Sequence, residues 1–324
     1  MTTPADSKLR LSIIVVNWNV RDLLEACLTS IQQNTRLSAD EFEVIVVDNA
    51  SEDRSADMVH DIFPDVRLIR SQENLGFARG CNAGYDISRG DFIFLLNPDT
   101  VILDNAIDVV LDEMERRPDA GAIGCRLLNK DRSFQRSAGG AFPSLRNTVW
   151  NYFFLNRLLP SRIGPEPMFF QGDPQGVLEV DWVSGAAMLV RREALNGRFF
   201  DESFFLYGED IDICDRIHRN GWKVFYTSEA SVLHYKGRSF KKQSTIEVLE
   251  MAFKGPRSFF KRNRGPLAVF TYDSILFIGY LFRWPAYRLM SLFWPKRGYD
   301  ELSSFSRQYV SIILGLLLRR RAEK

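Results

Sequence analysis

Cysteine is scarce in this chain, four among 324 residues, and no two stand at CxxC spacing. Cys27, Cys81, Cys125 and Cys214 are scattered. That speaks against a zinc cluster or a disulfide framework and for buried, reduced thiols in a cytosolic protein. Histidine is scarcer still, with three residues. The start, MTTPADSKLR, has no apolar stretch of the kind a signal peptide needs. A membrane-spanning helix takes about 20 mostly apolar residues. No run is that long: residues 267–282 contain Asp273 and stop at Arg283, and 310–318 is shorter. The dinucleotide fingerprint GxGxxG is absent, and so is any internal repeat.

Net charge is also nearly absent, at +1, yet the charges are unevenly placed. Residues 236–324 hold 18 Lys/Arg against 6 Asp/Glu, while 1–235 hold 24 against 35. An acidic body with a basic, aromatic tail suggests two jobs. We therefore expect an α/β domain over 1–240 and a helical, membrane-interfacial region over 241–324. Trp284, Trp294 and Tyr299 recur with Lys and Arg there, as in segments that lie among lipid headgroups. An appendage packed on the domain, or a dimer contact, is the alternative.

What is present is a rhythm of strands and helices. Continuous apolar runs predict buried strands over 11–17 (LSIIVVN), 42–47 (FEVIVV), 66–70 and 92–96. Helical spacing predicts helices over 23–34, 55–63, 77–88 and 106–116, with Asp53 as a cap for the second. This alternation implies an α/β fold with a mostly parallel sheet. Further strands are expected over 122–128, 186–191 and 223–227, and a helix over 211–220. Between them, 129–180 reads as a long irregular stretch, which is usually functional at that length.

Candidate chemistry sits at the strand ends. DFIFLLNPDT runs from a buried strand into a proline, which cannot donate to a ladder. Asp99 is thus held at the carboxyl end of a central strand, where open α/β sheets bind ligands and where a cation carrying a phosphate ester could sit. Asp48, after FEVIVV, belongs to the same rim and suits a ribose or base; an Asx turn is the competing reading. In NLGFARGCNAG, Gly76, Gly80 and Gly84 share a helical face, so a nucleotide or a packed sheet must approach closely, and Arg79 can face a phosphate. In FLYGEDIDICDR, Glu209 and Asp210 precede the predicted helix, with Asp212 and Asp215 following. Such crowding raises a carboxyl pKa, as a general base requires, although acids also suit a helix start. His234 opens the basic segment HYKGRSFKK and is a competent ligand for a manganese-like ion.

Taken in order, IIVVNWN, VDNAS, NLGFARGCNAG, LLNPDT, VSGAAMLVRREAL, FFLYGEDIDICDRIHRNGWKV and VLHYKGRSF resemble inverting family-2 glycosyltransferases of the GT-A fold, rhamnosyltransferase-like members above all. The resemblance covers residues 11 to about 240. It implies a dTDP- or UDP-linked sugar donor, with rhamnose first, and an acceptor hydroxyl on a glycan or polyprenyl-linked glycan. It implies nucleotide contacts from Asn17, Asp48, Asn74, Gly76, Arg79 and Asn97. Mg2+ or Mn2+ would be bound by Asp99 and His234. Asp210 would be the base with Glu209 beside it, and Trp182, Ser184, Gly185 and Ala186 would lie near sugar and acceptor. Lys236, Arg238, Lys241 and Lys242 would form a lid over the donor.

The first acid of the family's DxD motif is Asn97 here, so one charge is lost and weaker metal affinity is expected. A peripheral enzyme at the inner face of the cell membrane follows, with no nucleic-acid partner. A sugar-phosphate nucleotidyltransferase and a non-catalytic glycan-assembly subunit are the alternatives. The former should carry a Gly-rich, Lys-containing start that residues 13–19 lack.

Overall fold

The computed structural model describes residues 9–155, 163–204, 207–235, 245–294 and 299–322. They fall into two compact units, Met1–Phe142 with Met168–Gln243, and Pro143–Pro167 with Ser244–Lys324.

In the first unit the predicted strands form one sheet. β1 (Leu11–Asn17) is buried along its whole length, flanked in parallel by β2 (Phe42–Asp48) and β4 (Phe92–Leu96). β3 (Arg67–Arg70) extends the parallel run beyond β2. On the other side the direction alternates. β10 (Ala187–Arg191) is antiparallel to β4 and to β6 (Ala120–Leu128), and β6 is parallel to β11 (Lys223–His234). β11 then pairs antiparallel with β5 (Thr100–Ile102) and β8 (Val177–Glu179). Gly139–Gly140 (β7) and Trp182–Val183 (β9) form a separate two-stranded ladder. The helices α1 (Arg21–Gln33), α2 (Ser55–Ile62), α3 (Gly76–Ile87) and α4 (Ala106–Arg116) alternate with the first strands as their spacing predicts.

At the edge opposite the strand carboxyl ends, Glu43 ties four pieces of chain together. It accepts from the Ser12 hydroxyl, the Arg67 guanidinium and the Arg89 main-chain N–H and side chain. Burial alone would raise its pKa, but these donors bring it below the usual carboxylate value.

Three local differences have physical causes. Residue 54, not Asp53, is the N-cap of α2. Arg54 adopts φ +64°, while Asp53 Oδ1 accepts from the Ser55 N–H at 3.1 Å. The helix after FLYG, α6 (Glu209–Arg219), begins two residues before its predicted start, because Gly208 at φ +98° closes the preceding turn. Glu209 and Asp210 are therefore inside its first turn. The stretch expected to be irregular contains α5 (Leu145–Tyr152), in the second unit. A reciprocal capping box starts it: the Ser144 hydroxyl accepts from the Asn147 N–H, and the Ser144 N–H donates to Asn147 Oδ1. Asparagine replaces the usual Glu or Gln, which hides the motif.

The second unit also contains α7 (Thr245–Phe293) and α8 (Tyr299–Ala322), which pack on each other around Tyr272, Leu276, Tyr280 and Tyr309. Gly265, at φ +77°, kinks α7 just before Pro266. By length and composition Gly255–Phe293 is apolar enough to cross a membrane, which the interruptions at Asp273 and Arg283 obscure in the sequence. Asp273 accepts from Arg257 Nε at 3.0 Å, and Arg283 donates to the Asn151 and Tyr152 carbonyls.

Candidate active site

Strand direction brings the candidate residues to one rim. β1 ends at Asn17, β2 at Asp48 and β11 at His234, while β4 runs out into Asn97, Pro98 and Asp99. β10 runs the other way and begins there, just after Ser184, Gly185 and Ala186.

The β11–β5 register sets the first pairing. His234 lies opposite Thr100, and the Tyr235 N–H donates to Asp99 O at 2.8 Å. His234 Nε2 is consequently 3.4 Å from Asp99 Oδ1 and 3.3 Å from Asn97 Nδ2. Gln135 decides which imidazole nitrogen is bare. Its amide Nε2 donates to His234 O at 2.6 Å and to Leu128 O at 3.3 Å, and carbonyls only accept. Its Oε1, 3.0 Å from His234 Nδ1, is then the acceptor, so Nδ1 carries the proton in the neutral ring. Nε2 is left with its lone pair facing Asn97 and Asp99.

This donor set fits a divalent ion. A carboxylate oxygen and an imidazole nitrogen 3.4 Å apart can share one cation, and Mg2+ or Mn2+ completes its shell with water and substrate phosphate oxygens. Among the described residues no group of three or more His, Cys, Asp or Glu could hold a metal, so water or substrate oxygens would complete the shell of an ion held by Asp99 and His234. Asn97 differs from expectation. It turns its amide nitrogen, not its oxygen, toward His234, and its carbonyl accepts from the Thr100 hydroxyl at 2.7 Å.

Asp210 is joined to this pair through the Gly185–Ala186 step that leads into β10. The Gly185 N–H donates to the Asp210 carboxylate, and the neighbouring Ala186 carbonyl accepts from the Asn97 N–H at 3.0 Å. Tyr207 spans the remaining gap. Burial raises its hydroxyl pKa, and the nearby carboxylates of Glu209, Asp99 and Asp210 raise it further. Its φ of +65° is rare for an aromatic residue.

The acidic crowd predicted around α6 sorts into pairs. Asp212 pairs with Arg216 at 3.2 Å and Asp215 with Arg219 at 2.5 Å, each one helical turn away. Glu209 and Asp210 have no such counter-charge among the described residues. Burial pushes both carboxyls up, and Asp210 raises Glu209 further. Their environments then diverge. Glu209 is 5% exposed, and its Oε2 has no hydrogen-bond partner among the described residues. Asp210 is only partly buried, and the Ile211 N–H (2.9 Å) and Gly185 N–H stabilise its anion. Glu209 is thus the better proton holder and Asp210 the better base.

The nucleotide-side candidates lie on the neighbouring strand ends. Asp48 accepts from Asn17 Nδ2 at 2.8 Å and from the Ser51 N–H at 3.0 Å, so the turn reading of Asp48 is realised. Each of its oxygens keeps a lone pair for a further donor. Asn74 Oδ1 accepts from the Gly76 N–H at 2.9 Å and shapes the entry to α3, where Gly76 has φ +76°. Arg79 is exposed, 3.7 Å from Glu73. The helix–sheet explanation holds for the other two glycines. A methyl at Gly80 or Gly84 would lie 2.7 Å from Val16 or Ile14.

Trp182 lies in the β9 strand just before Ser184 and Gly185. Its side chain is 3% exposed and its indole N–H donates to the Ala141 and Met168 carbonyls, so it holds this segment in place from inside the fold. Ser184 accepts from the Ala186 N–H, and a methyl added at Gly185 would meet Phe77 and Asp210 only at ordinary van der Waals distance. The lid residues Lys236, Arg238, Lys241 and Lys242 lie outside the described residues. Neither Gln135 nor Tyr207 stands out in the sequence. Gln135 is one polar residue in a polar turn, and Tyr207 was visible only as part of FLYGED.

Comparison with known proteins agrees with this architecture. The family described as Glycosyl transferase family 2 matches residues 12–198. The N-acetylglucosaminyl-diphospho-decaprenol L-rhamnosyltransferase of Mycobacterium tuberculosis is 31% identical over 255 residues, 71% of this chain and 77% of that protein. Rhamnosyltransferase WbbL of Escherichia coli K12 is 27% identical over 51% of this chain and 61% of its own. Among solved structures, the Pyrobaculum calidifontis mannosyltransferase PcManGT, in complex with GDP-Man and Mn2+, superposes with a TM-score of 0.55 at 15% identity. That match covers 95% of this chain and 87% of that one. S. aureus TarS in complex with UDP gives a TM-score of 0.51 at 14% identity, over 82% and 69%. At these identities the structural likeness speaks to the fold.

Proposed function

The chain belongs to glycosyl transferase family 2, and on that premise we propose that it moves a sugar, rhamnose first, from a nucleoside-diphosphate donor to a hydroxyl of a polyprenyl-linked glycan, with inversion. The observation that carries the reading is the Gly185–Ala186 step, which ties Asp210 to one side of the rim and Asn97, Asp99 and His234 to the other.

In this reading Asp210 takes the proton of the acceptor hydroxyl. The acceptor oxygen forms a bond to the anomeric carbon as the bond to the diphosphate oxygen breaks, and the nucleoside diphosphate leaves. A single displacement inverts the configuration. Asp99 and His234 would hold Mg2+ or Mn2+, which when bound neutralises charge on the leaving diphosphate. Asn17 and Asp48 orient the nucleoside from the adjacent strand ends, with Asn74, Gly76 and Arg79 on the phosphate side. The lipid-linked acceptor and the rhamnosyl donor follow the names of the mycobacterial and E. coli relatives. An acceptor of that kind places the enzyme at the inner face of the membrane.

A panel of nucleotide-sugars, with Mn2+ and a polyprenyl-diphosphate N-acetylglucosamine acceptor, tests the proposal. The expected result is acceptor-dependent release of dTDP from dTDP-rhamnose and a product of opposite anomeric configuration. Failure of every nucleotide-sugar to raise the melting temperature or to be turned over would overturn it. Turnover with another sugar would retain the mechanism and replace the donor.

A further inference from the structure

The second unit bears an apolar face that nothing in the transfer chemistry uses. Along α7, Leu267, Phe270, Ile278, Leu281, Leu289 and Leu292 are all exposed, Leu267 at 76% and Leu292 at 69%. Their successive separations of three or eight residues keep them within one stripe of the helix. At 1.5 Å per residue the stripe is about 38 Å long. The opposite face, with Tyr272, Leu276, Tyr280 and Tyr287, is buried, and it packs on α5 and α8.

Polar groups within the stripe are already satisfied. The Thr271 hydroxyl donates to Leu267 O at 2.9 Å and the Ser274 hydroxyl to Phe270 O at 2.8 Å. Pro285 has no N–H to leave unpaired. Asp273 is neutralised by Arg257. Arg288 is also exposed on this face, seven residues after Leu281, and its long stem lets the guanidinium reach the headgroups while the apolar side chains around it meet hydrocarbon. Charge marks one end: Lys261, Arg262 and Arg264 are exposed just before the kink. Trp284 and Trp294 are exposed toward the other end, where indoles suit the headgroup layer.

We propose that this α7 stripe is the face by which the protein lies in the plane of an anionic lipid bilayer, leucine and phenylalanine side chains among the acyl chains and the 261–264 cations among the headgroups. An in-plane pose is required by the neighbours. A spanning pose would carry exposed Arg146 of α5 and Arg307 of α8 toward the hydrocarbon, at a cost of several kcal/mol each. The in-plane pose immerses the stripe alone. A second copy of the chain is the rival occupant, but a symmetric apolar contact gives the cationic end no partner. The inference deepens the membrane-surface part of the proposed function and rests on none of its chemistry.

Flotation of the full chain with phosphatidylglycerol-containing or pure phosphatidylcholine vesicles tests it. The wild type should float with the anionic vesicles at least tenfold more strongly. Leu281→Glu with Leu289→Glu should abolish flotation, and Lys261→Gln with Arg264→Gln should remove the preference for anionic lipid. Brominated lipids should quench tryptophan fluorescence of the wild type, a measurement that needs no variant to fold. Unchanged flotation of the double-glutamate variant, or no quenching, overturns the proposal. So does a wild-type dimer that this variant converts to monomer while vesicle binding persists. Donor hydrolysis without vesicles is followed in parallel. Its absence in the wild type with flotation intact would count against the transferase reading and leave the lipid face standing.

Discussion

Gln135 Oε1 accepts the proton of His234 Nδ1 at 3.0 Å, while the Gln135 amide nitrogen donates back to the main-chain carbonyl of the same histidine at 2.6 Å. This two-point grip fixes both ring orientation and tautomer. Partners of this kind typically matter 10–100-fold in metal affinity. Gln135→Leu should therefore weaken Mn2+ binding about tenfold, measured by the Mn2+ electron paramagnetic resonance signal in the presence of nucleoside diphosphate. A lower melting temperature with unchanged Mn2+ affinity would make Gln135 a packing residue only.

Asp210 and Glu209 are adjacent in sequence and opposite in prospect. Asp210 has the Ile211 and Gly185 N–H groups for its anion and a partly open side chain; Glu209 has only its own N–H and is 5% exposed. Asp210→Asn keeps the shape and the Ile211 and Gly185 N–H groups but removes the base. It should lower kcat by a factor on the order of 100–10,000 while leaving nucleotide affinity within about twofold. Glu209→Gln should retain most activity. Equal losses in both variants would show that the pair acts as one unit.

The parallel half of the sheet is legible in the sequence for a simple reason. Runs such as IIVV and FIFLL have no polar face to show solvent, and the aspartates that end them land on a common rim once the strands are parallel. Gln135 is illegible because it reaches His234 only through the β6–β11 register, across 99 positions. The roles of Asp212 and Asp215 were equally hidden. Acid spacing alone suggests repulsion, and only the helix phase shows that Arg216 and Arg219 cancel them. Trp182 is a case where the sequence is silent about side-chain role. Its position beside Ser184 and Gly185 is visible, but that its ring is buried and its N–H bound to two carbonyls is not.

Gly84 sets two known effects against each other. Gly to Ala in a helix interior gains about 1 kcal/mol from propensity. Here the added methyl would lie 2.7 Å from Ile14 Cγ2 and 3.4 Å from Val47 Cγ2, both on β-branched side chains with little freedom to turn. Overpacking of that kind costs about 1–3 kcal/mol. Gly84→Ala should therefore be neutral to destabilising by about 2 kcal/mol in urea denaturation, against the propensity trend. Clear stabilisation would mean that α3 can lift from β1.

The raised carboxyl of Glu209 also makes a prediction about stability and pH. Its pKa is higher in the folded than in the unfolded chain, chiefly through burial and then through Asp210. The unfolded chain releases that proton first, at about 4.3. As pH rises from there toward the raised folded value, the unfolded state binds fewer protons and stability falls. Asp210, raised as well, adds to the same slope. Glu41 and Glu43 act in the opposite sense, but both are lowered, so their contributions are complete by about pH 5. Between about pH 5 and 8 the wild type should lose on the order of 1–3 kcal/mol relative to Glu209→Gln, whose amide cannot ionise. Urea midpoints at the two pH values decide the matter: the variant's advantage must grow with pH, and a constant or shrinking gap would mean that Glu209 is charged in the folded protein.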